Sequence, residues 1–559
     1  MDDFKNTIII FLKKETGLES IDLEIPPNPE MGDYAFPCFS LSKIWKKVPK
    51  EIALDISAKF KPDGMIIEAR AMGPYVNFFV DKGKLAEHTI NSVIKQNDKF
   101  GSLGIGKGKK ILLEHTSINP NASPHIGRTR GALIGDSIAR ILRFADYEVE
   151  VHYFVNDVGK QIAMLVLAAE GIKKITFGKL LDLYVGINKK IEENPDLEKD
   201  VLGILGRLEN GDGKTRKQFE KIVGVCVNGQ EKILSALGIK YDFFDYESKY
   251  LWNKKTDETL RRLEKTGKLF IDGFNRRVLD QKGYSLGMKM PVLVLTRADG
   301  TSLYPLRDIA YAIEMVANGD YIVVLGEDQK LYNEQVNAAL KELKILQRKS
   351  VHFSFVLLEE GKMSTRKGNV VLLEDFMRQS VEKARKELEK RYKKANDRTA
   401  KAIAYGAIKF GMLRISPEKN VLFKWEQALS FEGESAPYIQ YAHARIKSII
   451  KKYDKHEKIS SKFFRAGPNL LMEKEEIALI KSISEFPDIV EKAAKELRPH
   501  LIATYVYSLA QKFNEYYHIH QILRADDKIR EARIFLISAV AQVIRNGLIL
   551  LGINALERM

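Results

Sequence analysis

The stretch SINPNASPHIGRTRGALIGD, residues 117–136, decides the fold of this chain. It is entered from the apolar run Ile111, Leu112 and Leu113, which reads as a buried strand. Asn-Pro-Asn then marks a turn. Pro124 suits the first position of a helix, where its missing N–H costs nothing, and Ser123 before it is a candidate N-cap. Strand, turn and helix make one half of a parallel α/β unit. The helix N-terminus directs free N–H groups out of the sheet's carboxyl edge, a natural place for a phosphate. Gly127, Gly131 and Gly135 recur at every fourth position, on one helix face. They cost helix propensity, so close approach to a ligand or another element should compensate. His125 stands at the mouth of the turn. It can hydrogen-bond a phosphate oxygen that gains charge in a transition state. Taken alone, it reads more readily as a helix-start histidine in a structural loop.

Working outward, residues 1–105 read as a small α+β domain. The segment MIIEARAMGPYVNFFVD alternates and ends in an aromatic strand. GSLGIGKGKK opens no helix, so its glycines mark a linker and not a phosphate loop. Residues 106–375 read as a Rossmann-type domain with a parallel sheet, whose further strands are YEVEVHYFVND, PVLVLTRADG, YIVVLGEDQ and HFSFVLLEE. A charged helical insertion, about residues 160–238, splits it. NGDGKT inside the insertion is not a P-loop, because Leu208 stands where its first glycine belongs and no strand precedes it. A helical connection, 376–425, leads to an all-α bundle, 426–559, in which YIQYAHARIKSII and LIATYVYSLAQKFNEYY carry apolar residues at helical spacing. The fold class is multidomain α/β.

With 559 residues, the chain exceeds what one core supports. Its composition, 45% hydrophobic and 29% charged, is that of a globular protein. No apolar run approaches the ~20 residues of a membrane span, and MDDFKNTIIIFLKK reads as a first helix and not a signal peptide. A cytoplasmic location and no membrane partner are expected. Cys38 and Cys226 are too few for a cysteine zinc site, and His518 and His520 face different ways on a helix, so no metal site is expected. The net charge of +16 attracts a phosphate backbone, though a lysine-rich surface alone explains it.

A second motif changes the weight of His125. GKMSTRKGN, residues 361–369, follows the strand HFSFVLLEE and packs cations and hydroxyls into a glycine-bounded loop. Such a loop can close over a polyphosphate. Pro-His-Ile-Gly-Arg at 124–128 resembles the HIGH motif, and Lys362-Met363-Ser364-Thr365-Arg366 resembles the KMSKS loop. In this order and these strand contexts, the pair is similar to class I aminoacyl-tRNA synthetases. MGDYAFPCFSLSK, GPYVNFF, ILLEHTSINPN, YFVNDVGKQ, GTSLYPLRDIAYA, MSTRKGN, ESAPYIQYAHAR and the terminal NGLILLGINALERM resemble the arginyl-tRNA synthetase family along nearly the whole chain.

That resemblance implies an arginine–tRNA ligase working in two steps. Arginine attacks the α-phosphorus of ATP to give arginyl-adenylate and pyrophosphate, and the arginyl group then passes to the 3′ end of tRNA(Arg). Activation is implied to need bound tRNA, with Mg²⁺ accompanying ATP. The resemblance places Pro124, His125, Gly127, Arg128, Met363 and Ser364 around ATP, with His125, Arg128, Lys362 and Arg366 as catalytic cations. It places Glu114, Asn119, Tyr304, Asp308 and Gln329 around the substrate, Ser117 near the α-amino group and Glu247 behind Tyr304. Carboxylates and neutral acceptors suit a guanidinium with five donors. Taken singly, Asp308 could cap a helix and Tyr304 could be a core residue. Asn77 is implied to meet the tRNA corner; Tyr438, Tyr441, Arg445, Tyr517 and Met559 are implied near the anticodon. Tyr438 and Tyr441 equally suit a buried aromatic stripe. A monomer is the family's usual state.

Two positions depart from the family's pattern. Arg128 replaces the last histidine of HIGH, and Thr365 replaces the second KMSKS lysine, while Ala122 occupies the place where related enzymes carry a compensating lysine. Lys362, Arg366, Lys367 or Arg128 could substitute. These departures sustain one alternative, a catalytically impaired tRNA-binding paralogue. The insertion is expected to be structural or to contact tRNA, since a carboxylate-lined pocket rejects smaller apolar amino acids without editing.

Overall fold

The alternating stretch before residue 81 forms an antiparallel sheet from β1 (Tyr34–Pro37), β2 (Ile66–Met72) and β3 (Tyr75–Val80), in the order β1-β3-β2. The core of this domain is aromatic: Phe11, Phe60 and Phe78 meet edge to face. The computed structural model describes residues 3–26, 28–358, 371–391, 396–456, 463–465, 467 and 470–559.

The run at 111–113 lies in β4 (Lys110–Glu114), the middle strand of a parallel sheet. β5 (Glu148–Val155) and β6 (Phe243–Tyr246) follow on one side. A separate antiparallel sheet holds β7 (Leu269–Ile271), β8 (Arg277–Asp280) and β9 (Val292–Val294). β10 (Asp320–Gly326) and β11 (Lys349–Phe353) complete the central sheet on the other side of β4, in the order β11-β10-β4-β5-β6. Strand order therefore reverses between β4 and β10, which opens a crevice at their carboxyl ends. Two expectations change here. PVLVLTRADG supplies β9 of the antiparallel sheet and not a central strand. HFSFVLLEE is divided: its start closes β11, while β12 (Val356–Leu358) pairs with β13 (Val421–Phe423).

The helix opened by the quoted stretch runs Ile126–Phe144 and is buried along most of its length. Gly131 and Gly135 face packing partners, not solvent. A Cβ at Gly131 would meet the Phe353 ring at 2.5 Å, and one at Gly135 would meet the His115 ring at 2.2 Å. Close helix–sheet packing is the compensation for their low propensity.

The insertion joins β5 to β6 through helices Lys160–Ala168, Leu180–Glu193, Leu197–Glu209 and Gly213–Ala236, with a core of its own. NGDGKT starts the last of these: Asp212 caps it, accepting from the Thr215 N–H at 2.8 Å. The chain ends in helices Ala436–His456, Lys474–Glu496, Pro499–Ile519 and Asp527–Leu550. The last is long and apolar enough to cross a membrane, against the sequence expectation, but 72% of that stretch is buried inside the protein. Its apolarity serves the bundle core.

GSLGIGKGKK is not a free linker. A Cβ at Gly101 would meet the Phe486 ring at 2.4 Å, and Gly106 and Gly108 donate to Ala145 and Asp146 carbonyls at 2.8 Å. Close by, Asn546 donates to the Asn97 and Phe100 carbonyls at 3.0 Å each. The N-terminal domain is thereby seated on the C-terminal bundle. The boundary expected at 375 falls inside the helix Leu373–Arg391.

Candidate active site

The first motif starts its helix two residues later than the sequence suggested. His125 is the N-cap, with φ −96° and ψ 155°. The reason is a strand-like contact. His125 bridges Leu372, the Ile126 N–H donates to the Val371 carbonyl at 3.1 Å, and the Leu373 N–H donates to the Pro124 carbonyl at 2.8 Å. An extended, paired residue cannot be helical, so Pro124 precedes the helix and Ser123 does not cap it; the Ser123 hydroxyl is buried without a protein partner. Residues 371–373 begin two positions after the end of the second motif. Lys362, Met363, Ser364 and Arg366 lie outside the described residues, but the chain that returns from them is tied to the first motif.

Burial holds the His125 imidazole down to about 4, with the Arg128 charge adding to the effect. It is therefore neutral at pH 7, with Nδ1 buried and unpartnered in the protein. Arg128 is exposed one turn along. Ala122 is 2% exposed beneath the helix Gly213–Ala236, its carbonyl accepting from Gln230 at 2.9 Å. This packing accounts for a small residue where a lysine was sought.

The substrate residues gather where the topology puts them. Glu114 is the last residue of β4 and Glu247 follows β6. Gln329 follows β10, and Tyr304 and Asp308 lie in the first turns of the helix Tyr304–Asn318 that feeds β10. A helix leading into a parallel strand runs against it, so its N-terminus comes to the sheet's carboxyl edge. Glu114 accepts from the Ser117 hydroxyl at 3.0 Å and from the Tyr321 hydroxyl. Burial pushes this carboxyl up, opposed by the Tyr321 hydrogen bond and reinforced by the Asp308 charge. Asp308 is not a free acceptor. Its two oxygens take the Arg348 guanidinium at 2.9 and 3.2 Å, and Oδ2 also accepts from the Tyr332 hydroxyl at 2.8 Å. Glu247 pairs with Arg307 at 2.6 Å and is pushed up to about 7 by burial, against the pull of that arginine. Tyr304 is half exposed, its ring 4.9 Å from that of Tyr332. Asn119 donates to Gln161 at 3.0 Å. Between Tyr304, Arg307 and the insertion lies a cleft of about 700 Å³.

Tyr321, Arg348, Arg307 and Gln161 were missed in the sequence. Tyr321 sits in the apolar run YIVVLG, and Arg348 in an ordinary basic loop before β11; neither carries a local signal.

The residues implied at the anticodon converge. Arg445 lies over the rings of Tyr441 and Tyr517, at 4.6 and 4.9 Å, and donates to Asn514 at 2.9 Å. Tyr438 and Tyr441 line a groove of about 640 Å³ with Phe431, Gln511 and His518. Met559 is partly buried against the core. Asn77 differs from expectation: it lies on the face of Tyr75 and Phe79, opposite Val76 and Phe78, yet it is 1% exposed, because its amide is covered there and donates to the Met31 carbonyl at 2.7 Å. Tyr75 and Phe79 stay at the surface of that sheet, Phe79 beneath Arg70.

Comparison with known proteins identifies the domains. Residues 2–80 match the arginyl tRNA synthetase N-terminal domain, 89–425 the class I tRNA synthetase (R) catalytic domain, and 439–559 the DALR anticodon binding domain. A methionyl-tRNA synthetase of Mycobacterium tuberculosis shares the fold at a TM-score of 0.52 and 13% identity, over 79% of this chain and 91% of that one. Fold and site together define a class I aminoacyl-tRNA synthetase.

The arginine–tRNA ligase of Methanocaldococcus jannaschii is 38% identical over all of both chains, and that of Pyrococcus abyssi 37% identical over 96% of each. The arginyl-tRNA synthetase structure from Thermus thermophilus superposes over both full chains with a TM-score of 0.84 at 26% identity. Within its class, this chain belongs to the arginyl-tRNA synthetase family.

Proposed function

We propose that this chain activates L-arginine with ATP at the crevice between β4 and β10 and transfers it to tRNA(Arg). The observation that carries this reading is the meeting of buried acids with His125 at one sheet edge. A guanidinium in that crevice finds Glu114 and the neutral acceptors of Asn119, Tyr304 and Gln329, while Ser117 meets the α-amino group. Asp308, already bound to Arg348, contributes field and its remaining lone pairs. Glu247 holds Arg307 behind Tyr304.

The carboxylate of arginine attacks the α-phosphorus and pyrophosphate leaves. Little proton transfer is needed, so the protein acts by alignment and by neutralising phosphate charge. Neutral His125 donates a hydrogen bond to a phosphate oxygen. Arg128, Lys362, Arg366 and the turn at Pro124 and Gly127 lie along the phosphates, with Met363 and Ser364 in the covering loop. Mg²⁺ enters with ATP as part of that substrate. The tRNA 3′ end reaches the adenylate through the cleft beside Tyr304, and the anticodon occupies the groove of Tyr438, Tyr441, Arg445 and Tyr517. Bound tRNA is required for activation. The protein works as a monomer in the cytoplasm.

The test is amino-acid choice. Adenylate formation is compared for arginine and citrulline, which has the same shape without the charge. A site built on ionised hydrogen bonds should discriminate by about 10⁴ or more. Activation of citrulline within tenfold of arginine would reject the pocket.

A further inference from the structure

The loop that leaves β4 is strained at its first step. Thr116 has φ +84° and Ser117 φ +40°, the left-handed region that a β-branched residue rarely enters. Consecutive residues stay there only when the surroundings hold them. His115 Nδ1, 2.8 Å from the Thr116 hydroxyl, and Glu114, which accepts from Ser117, hold this step from the strand side, and the insertion and its edge hold the rest of the loop. The Thr116 hydroxyl lies 2.6 Å from the Tyr241 hydroxyl, just past the last insertion helix. From the first insertion helix, Gln161 Oε1 accepts from the amides of Asn119 at 3.0 Å and Asn121 at 3.1 Å.

The most buried of these groups is Gln230, on the helix Gly213–Ala236, with no exposed surface. Its Nε2 donates to two carbonyls of the loop, Asn119 at 3.1 Å and Ala122 at 2.9 Å. Its Oε1 lies 2.8 Å from the Tyr153 hydroxyl, which is also 2.9 Å from the Ile118 carbonyl. Two carbonyls on one side call for two donors, which the NH₂ of a primary amide supplies, while the single Tyr153 proton is shared between Gln230 Oε1 and the Ile118 carbonyl. Asn119 follows Ser117 by two residues, and Ala122 precedes His125 by three. One buried amide thus fixes the backbone of the amino-acid loop and the approach to the first motif.

We infer that Gln230 is a positioning residue for arginine, and that bracing this loop is a function of the insertion. The inference rests on the reading that Ser117 and Asn119 meet the amino acid. Gln230 touches no substrate; it sets where those two residues stand.

The test is steady-state ATP–pyrophosphate exchange in the presence of tRNA, on the full chain. Gln230→Met keeps the size and removes both donors. The arginine KM should rise about tenfold, the equivalent of one to two hydrogen bonds of binding energy, with the ATP KM within about twofold of wild type. Val227→Ala, a core truncation on the same helix, should lower the melting temperature and leave the arginine KM unchanged. Should Gln230→Met fail to fold, Gln161→Met, at a half-buried site, removes the second brace and should raise the same KM. An arginine KM in Gln230→Met, or in Gln161→Met, that moves no more than in Val227→Ala overturns the inference. Asn119→Ala separates the two readings: if it leaves the arginine KM unchanged, the loop is not the amino-acid loop and the proposed site fails first.

Discussion

Arg130 offers the sharpest stability test. It lies two residues past the first motif and is wholly buried, and the charge of Glu418 acts on it from a distance, opposing the effect of burial. Its guanidinium donates to four carbonyls: Ser354 at 2.8 Å, Lys419 at 2.7 Å, Ser416 at 2.9 Å and Ile415 at 3.3 Å. Burial draws it down to about 10, which still leaves it charged at pH 7. Ser354 leads into β12 and Lys419 into β13, so one side chain ties the first-motif helix to the strand pair from which the second motif departs. Arg130→Met removes three bonds shorter than 3 Å, each worth about 1.5 kcal/mol for a charged donor. Relief from burying a charge offsets part of this, leaving a loss of about 3 kcal/mol. For a domain the size of the catalytic one, the unfolding midpoint should fall by roughly 6–12 °C. Calorimetry reads that shift. Arg130→Lys, with fewer donors in a different geometry, should fall between. An Arg130→Met midpoint within about 2 °C of wild type would refute the bracing role.

Gly135→Ala should destabilise by about 1–3 kcal/mol, since its Cβ would overlap the His115 ring, and a urea titration would register it. Arginine affinity should rise with pH. Burial raises the Glu114 carboxyl in the free protein, a bound guanidinium favours its ionised form, and binding therefore releases a proton until the pH exceeds the free-state value; calorimetry in buffers of different ionisation heat would show proton uptake if this is wrong. Arg445→Ala should raise the tRNA KM about tenfold through lost contact with two aromatic rings and leave the arginine KM alone, whereas an equal change in both would place Arg445 outside the anticodon face.

Much of the architecture was legible because it rests on local pattern. The strand at 111–113, the glycine-bearing helix and the helical insertion each carry their own periodicity. The misreadings came from contacts distant in sequence. Nothing near Pro124 announces that Leu373 will pair with it and delay the helix. Nothing in PVLVL distinguishes a strand of the central sheet from one beside it. Asn77 looked like a surface reader because alternation assigns faces only when one face is wet, and here both faces of β3 are largely covered. In the pocket, the acids were found through motif resemblance, but their states were not. Asp308 meets Arg348 from 40 residues away, and Glu114 meets Tyr321 from 207. The braces on the amino-acid loop, Gln161 and Gln230, are ordinary glutamines until the insertion folds over it.

The central claim is that this crevice activates arginine, despite Thr365 and Ala122. ATP–pyrophosphate exchange with purified protein and arginine, with and without tRNA(Arg), tests it most directly. The account predicts arginine-dependent exchange that appears when tRNA is added. Folded protein that binds tRNA yet shows no exchange under either condition would contradict it.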